Sequence, residues 1–204
     1  DNARALLLVL TAYELGIDKQ SIVLADTYLQ YIKLMQKEDG YFHNDMSFDK
    51  RFLDETGSED AFGRTMWAMG CMIRLAPNDG HFQFAKDIFF KSFTHFESLR
   101  SIRAIANTII GLCNFLKRFP DNEKARHTLA VLTGRLTRQY HDESKEEWNW
   151  FEPVLCYDNA ILPLALWHVY AVTRNHEVLK IAKDTTDFLD KEAGKNGHIS
   201  LVGN

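Results

Sequence analysis

The sequence predicts an all-α fold, an α/α toroid of helical hairpins of the (α/α)6 type with about four hairpins present. Three observations predict it. Four segments start polar and then turn apolar on nearly every face, each is followed by an amphipathic segment, and the connections alternate between short and long. Helices apolar all round are buried all round, whereas helices with one apolar stripe wrap a core. With 46% hydrophobic residues, 4 prolines and 11 glycines in 204 residues, the chain can build long helices and a large core.

The first hairpin pairs DNARALLLVLTAYELG (1–16) with QSIVLADTYLQYIKLMQ (20–36), and the second pairs EDAFGRTMWAMGCMIRLAP (59–77) with HFQFAKDIFFKSFTHF (81–96). The third joins RSIRAIANTIIGLCNFLKRFP (100–120) to DNEKARHTLAVLTGRLTRQYH (121–141), and the fourth joins DNAILPLALWHVYAVT (158–173) to HEVLKIAKDTTDFLDK (176–191). In 121–141, Ala125, Leu129, Leu132 and Leu136 recur at three- and four-residue steps, while Lys124, Arg126, Arg135 and Arg138 take other faces. The first member of each hairpin is expected inside and the second outside. A plain helical solenoid is the alternative architecture.

Turns within hairpins are short, whereas the connections 37–58 and 142–157 are long enough to be functional loops. Both are expected on one rim, beside the N-termini of the inner helices. KEDGYFHND after the first outer helix has an echo in KNGHISLVGN after the fourth, so the repeat reaches the end of the chain. Residues 1–204 therefore read as a single domain, expected to be a fragment of a longer chain.

The net charge of −4, with Lys and Arg scattered, points away from nucleic acid and anionic membrane surfaces as partners. No apolar run spans a bilayer and no leader is visible, so a cytoplasmic location is expected. Cys71, Cys113 and Cys156 read as reduced residues rather than a metal or redox site. The His spacing offers no metal motif and no Gly-rich loop follows a strand, so no metal and no cofactor are expected.

The rim is rich in carboxylates, aromatics and His, the residue types that bind sugars: flat aromatic faces cover a pyranose ring while Asp, Asn, Glu and Arg bond its hydroxyls. Paired carboxylates also serve glycosidic hydrolysis. Candidate catalytic residues are Glu59 or Asp60 with Glu152 or Asp158. Candidate saccharide ligands are Asn2, His43, Arg64 and Asn159, with Trp148 and Trp150 as stacking faces. Plainer roles compete: Asp1 and Asp158, each opening an Asp-Asn-Ala, suit N-caps, as does Ser58 with acids behind it. Arg64 suits a local ion pair. WNWFE (148–152) reads equally as a packed lid or a sugar platform, and Trp67 and Trp167 as core.

SEDAFGRTMWAMG (58–70), WNWFEPVLCYDNAILPLAL (148–166) and GHISLVGN (197–204) together resemble a bacterial family of all-α, six-hairpin-like domains. These occur alone or at the C-terminal side of glycosyltransferase sequences. DNARALLLVL resembles the end of that family's opening motif, and Cys156 stands where Thr is more usual. The resemblance implies carbohydrate metabolism on a toroid similar to six-hairpin glycosidases, with a saccharide as ligand and a glycosyltransferase domain as a partner in the same protein. It assigns no catalytic residue. Three functions follow as expectations: a glycoside hydrolase, a saccharide-binding accessory module, or a helical-repeat scaffold, which would pack WNWFE away and lack a deep rim pocket.

Overall fold

Eight α-helices carry the chain in the computed structural model, which describes residues 1–195 and 198–199. They are α1 (Asn2–Glu14), α2 (Leu24–Met35), α3 (Glu59–Leu75), α4 (Asp79–Ser92), α5 (Ile102–Arg118), α6 (Glu123–Glu143), α7 (Ile161–Thr173) and α8 (His176–Ala193). Short 3₁₀ turns precede α2 at Gln20–Val23 and follow α4 at Phe93–Ser98. A minimal antiparallel pairing sets Gly194–Lys195 against His198–Ile199. Most of the KNGHISLVGN echo lies outside the described residues.

Local chemistry starts these helices where the sequence supplies a short polar side chain. Ser58, Asn78, Ser101 and Asn122 each accept a hydrogen bond from the backbone amide three residues on, and Asn175 accepts from Glu177 and Val178. The caps expected of Asp1 and Asp158 are absent. Asp1 stands at the N-cap of α1 without a side-chain cap bond, and Asp158 precedes the N-cap of α7, which is Ala160. Pro163 sits in the first turn of α7, where its missing N–H costs no helical bond.

The helices pack in two layers. In one, α1, α3, α5 and α7 lie side by side in that order, and each is joined to its hairpin partner α2, α4, α6 or α8 in the other. Every residue of α5 from Arg103 to Leu116 is buried, as its all-round apolar pattern requires. The flanking helices are buried on fewer faces, because no described element covers their outer sides: Leu8 of α1 is 72% exposed and Trp167 of α7 is 36% exposed. Trp167 is therefore not core, and its indole N–H donates to Thr186 Oγ1 at 3.0 Å.

Glycines let α3 and α5 touch backbone to backbone. A Cβ on Gly70 would fall 2.1 Å from the Gly111 carbonyl oxygen, and one on Gly111 would fall 2.4 Å from that of Met66. Gly63 meets Ala104 in the same way, 2.6 Å from its carbonyl oxygen. Around this seam, Phe89, Phe93, Phe96 and Phe115 pack in stacked and edge-on pairs.

Candidate functional site

The N-termini of α1, α3 and α5 and the residues leading into α7 meet at one end of the molecule, together with both long connections. The loop before α3 is tied back on itself by acceptor side chains. Asp54 takes the backbone N–H groups of Asn44 and Asp45, and Asn44 Oδ1 takes that of Ser58 at 2.9 Å. It is anchored to α4 through Gln36, which donates to Ile88 O, and Ser92, which donates to Gly40 O. His43 stacks on Phe52 at 3.9 Å, with Nδ1 2.8 Å from the Asp54 carbonyl oxygen.

In the loop before α7, WNWFE is a packed lid. Trp150 is 0% exposed and stacks on Phe188, so it presents no face to a sugar. Trp148 packs edge-on against the same Phe188, and its indole N–H donates to Glu152 O at 2.8 Å. Trp150 forms no stacking platform, because α8 supplies a phenyl ring that sequesters it, whereas Trp148 is only partly buried and is fixed in the lid by its edge-on contact and its indole hydrogen bond.

Three more expected site residues are taken up by scaffold bonds. Glu59 Oε2 accepts the backbone N–H groups of Arg100 and Ser101, at 2.8 and 2.6 Å, so the first residue of α3 holds the entrance to α5. Glu152 receives a bidentate pair from Arg103, which also donates from Nε to Tyr157 O and lies over the Tyr157 ring. Asn159 bonds back to Cys156 through both its oxygen and its amide nitrogen, closing a turn.

Of the other five expected residues, Asn2, His43, Arg64 and Asp158 border one cleft, and Asp60 is held beside it by its pair with Arg64. Arg64 stands between two carboxylates, its Nη2 2.9 Å from Asp60 Oδ2 and 3.5 Å from Asp158 Oδ2. Both readings of Arg64 thus meet, since the guanidinium that pairs with Asp60 also walls the cleft. On one side, Asn2, His43 and Asp45 help enclose a recess of about 270 Å³; on the other, Leu7, Trp67, Asn107, Tyr157 and Asp158 enclose one of about 370 Å³. Arg4 and Arg64 wall both recesses, and Arg4 pairs with Asp1.

Asp158 has a positive φ of 49°, a left-handed conformation that short polar side chains tolerate and that functional sites retain. Burial, and after it the Asp60 carboxylate, pushes the Tyr157 phenol above its ordinary value, so Tyr157 keeps its proton and can donate.

Arg4, Trp67, Asn107 and Tyr157 were not among the expected ligands. Two patterns mark them: Asp60, Arg64 and Trp67 recur at four and three residues on α3, and Arg103, Asn107 and Asn114 interrupt the apolar run of α5 at four and seven. A larger hollow of about 620 Å³ lies among α5, α6, α7 and α8. Leu116, Leu129, Val169, Val172 and Val178 give it apolar walls, and it contains none of the expected site residues, so the chemistry favours the smaller cleft. No family model and no curated protein matches this chain. No described helix is long and apolar enough to cross a membrane.

Proposed function

We propose that the cleft binds a saccharide and that the domain is carbohydrate-active, its row of hairpins forming an arc of an (α/α)6 toroid. The observation that carries this reading is the Asp60–Arg64–Asp158 constellation beside Trp67 and Tyr157, at the N-termini of the inner helices. It combines planar charged and acceptor groups with aromatic walls, the combination that pyranose hydroxyls and C–H faces need. The alternating layers, with both long loops at one end, support the toroid. A helical-repeat scaffold shares the packed WNWFE segment but gives no reason for two recesses walled by the same pair of arginines.

The hydrolase version retains Asp60 and Asp158 as its carboxylate pair. Their nearest oxygens are no farther apart than the two Arg64 contacts together, near enough for both to address one glycosidic bond. Both acids, however, are engaged by one guanidinium, which suits accepting hydrogen bonds from ligand hydroxyls. Saccharide binding, as in an accessory module working beside a glycosyltransferase domain, is the version the geometry favours.

Isothermal titration against a panel of oligosaccharides, with turnover followed separately, tests the proposal. Arg64→Ala and Asp158→Asn should each weaken binding at least about tenfold, equivalent to about 1.4 kcal/mol, with the fold retained by circular dichroism. A wild-type protein that binds no member of the panel overturns it. Turnover abolished by Asp60→Asn and Asp158→Asn, with binding kept, would establish the hydrolase version.

A further inference from the structure

The hollow of about 620 Å³ among α5, α6, α7 and α8 has the size of a small-molecule site. Its floor is apolar: Leu116, Leu129, Val169 and Val178 are each at most 3% exposed. Thr133 of α6 is the one polar side chain buried with them, and its Oγ1 has no hydrogen-bond partner among the described residues. Elsewhere in the fold helical threonines donate to the carbonyl one turn back, as Thr65 does to Ala61, Thr173 to Val169 and Thr185 to Ile181. Thr133 departs from that habit beside an unfilled space.

Gly134 is anomalous in the same place. A glycine inside a helix costs stability relative to alanine. At Gly63, Gly70 and Gly111 a neighbouring backbone excludes any larger residue, whereas a Cβ on Gly134, exposed at the edge of the hollow, would meet nothing within 4 Å. Packing within the described residues does not account for this glycine. A ligand seated over it does.

The charge of the occupant follows from where charged side chains stand. Asp121, Arg126 and Glu177 border the hollow and all three are exposed, so they lie around its opening. The buried floor has none, and an ionic group seated there would lack a counter-charge. An apolar body with one hydroxyl suits both parts of the site. The body covers the leucines and valines, and the hydroxyl bonds Thr133, which can donate and accept.

We propose that the hollow between α6 and α8 binds an uncharged, mainly apolar small molecule through a hydroxyl bonded to Thr133. This second site is independent of the saccharide reading, since it shares no lining residue with the cleft.

The test is a chemical-shift titration of the isotope-labelled full chain with para-ethylphenol, and with ethylbenzene as the same skeleton without the hydroxyl. Amides of α6, α7 and α8 around the hollow should shift saturably, and the phenol should bind about fivefold more tightly than ethylbenzene, the worth of one hydrogen bond. Thr133→Val, which nearly keeps the shape and removes the hydroxyl, should bring the two affinities together. Gly134→Leu, which extends into the hollow, should weaken both compounds at least about tenfold with the thermal midpoint kept. Gly134 is exposed, so its variant stays informative even if Thr133→Val does not fold. Equal binding of the two compounds, no saturable shift at these amides, or a preference untouched by Thr133→Val overturns the proposal. So does self-association in analytical ultracentrifugation that Gly134→Leu abolishes and para-ethylphenol leaves intact, which would assign the hollow to a second copy of the chain.

Discussion

Arg103 of α5 and Glu152 of the loop before α7 form a bidentate ion pair at 2.9 and 2.7 Å, with the arginine side chain 5% exposed. Removing the acid leaves a buried guanidinium with only the Tyr157 carbonyl and a 3.5 Å contact to Asn159 Oδ1. Glu152→Ala should therefore lower stability by about 3 kcal/mol, read as a fall in thermal midpoint. A variant as stable as the parent would mean that Glu152 is free to serve the ligand.

The glycine seam gives a prediction of opposite signs. Gly111→Ala places a methyl group against the Met66 backbone, which cannot yield without separating α3 from α5. It should cost about 3 kcal/mol. Gly134→Ala, in α6, meets nothing within 4 Å and should gain about 0.5–1 kcal/mol through better helix propensity. Urea denaturation of both variants checks the pair.

His168 of α7 supplies a pH dependence. Burial first, then the Lys117 and Arg74 cations, push its pKa down from 6.5 to about 4. Between those values the unfolded chain binds a proton that the folded chain refuses, so this group's contribution is present above pH 6.5 and is lost as pH falls to about 4. Thermal midpoints should drop over that window, and His168→Leu should flatten the drop.

Thiol reactivity separates the three cysteines. Burial pushes the Cys71 and Cys113 thiols up to about 12, whereas Cys156 is half-exposed in the loop before α7. Under native conditions a chromogenic disulfide reagent should titrate one thiol per chain, and three after denaturation. Two or more native thiols would mean that the inner helices open more readily than their packing implies.

The two-layer order of the helices was legible because apolar residues on many faces and apolar residues in one stripe are distinct patterns. Loop lengths marked the end that carries both long connections. Which rim acids face the cleft was not legible, and Glu59 and Asp60 show why. They are adjacent in sequence yet about 100° apart around the helix, so one reaches the amides of α5 while the other meets Arg64. Periodicity assigns a side to each but does not say which neighbour stands there. The fate of WNWFE likewise depended on Phe188, far along the chain. Asn107 was visible as a polar break in an apolar helix, a signal that becomes meaningful only once Arg64 and Trp67 are beside it.

The backbone contact of α3 with α5 also governs where this molecule can flex. With Gly63, Gly70 and Gly111 leaving no slack, Asp60, Arg64, Trp67 and Asn107 behave as one stiff unit. His43, Tyr157 and Asp158 are carried by loops, held by hydrogen bonds that open locally at lower cost than a helix seam. Fit to ligands of different length is left to those loops, which should exchange their amide hydrogens faster than α3 and α5 and slow down when the cleft is occupied.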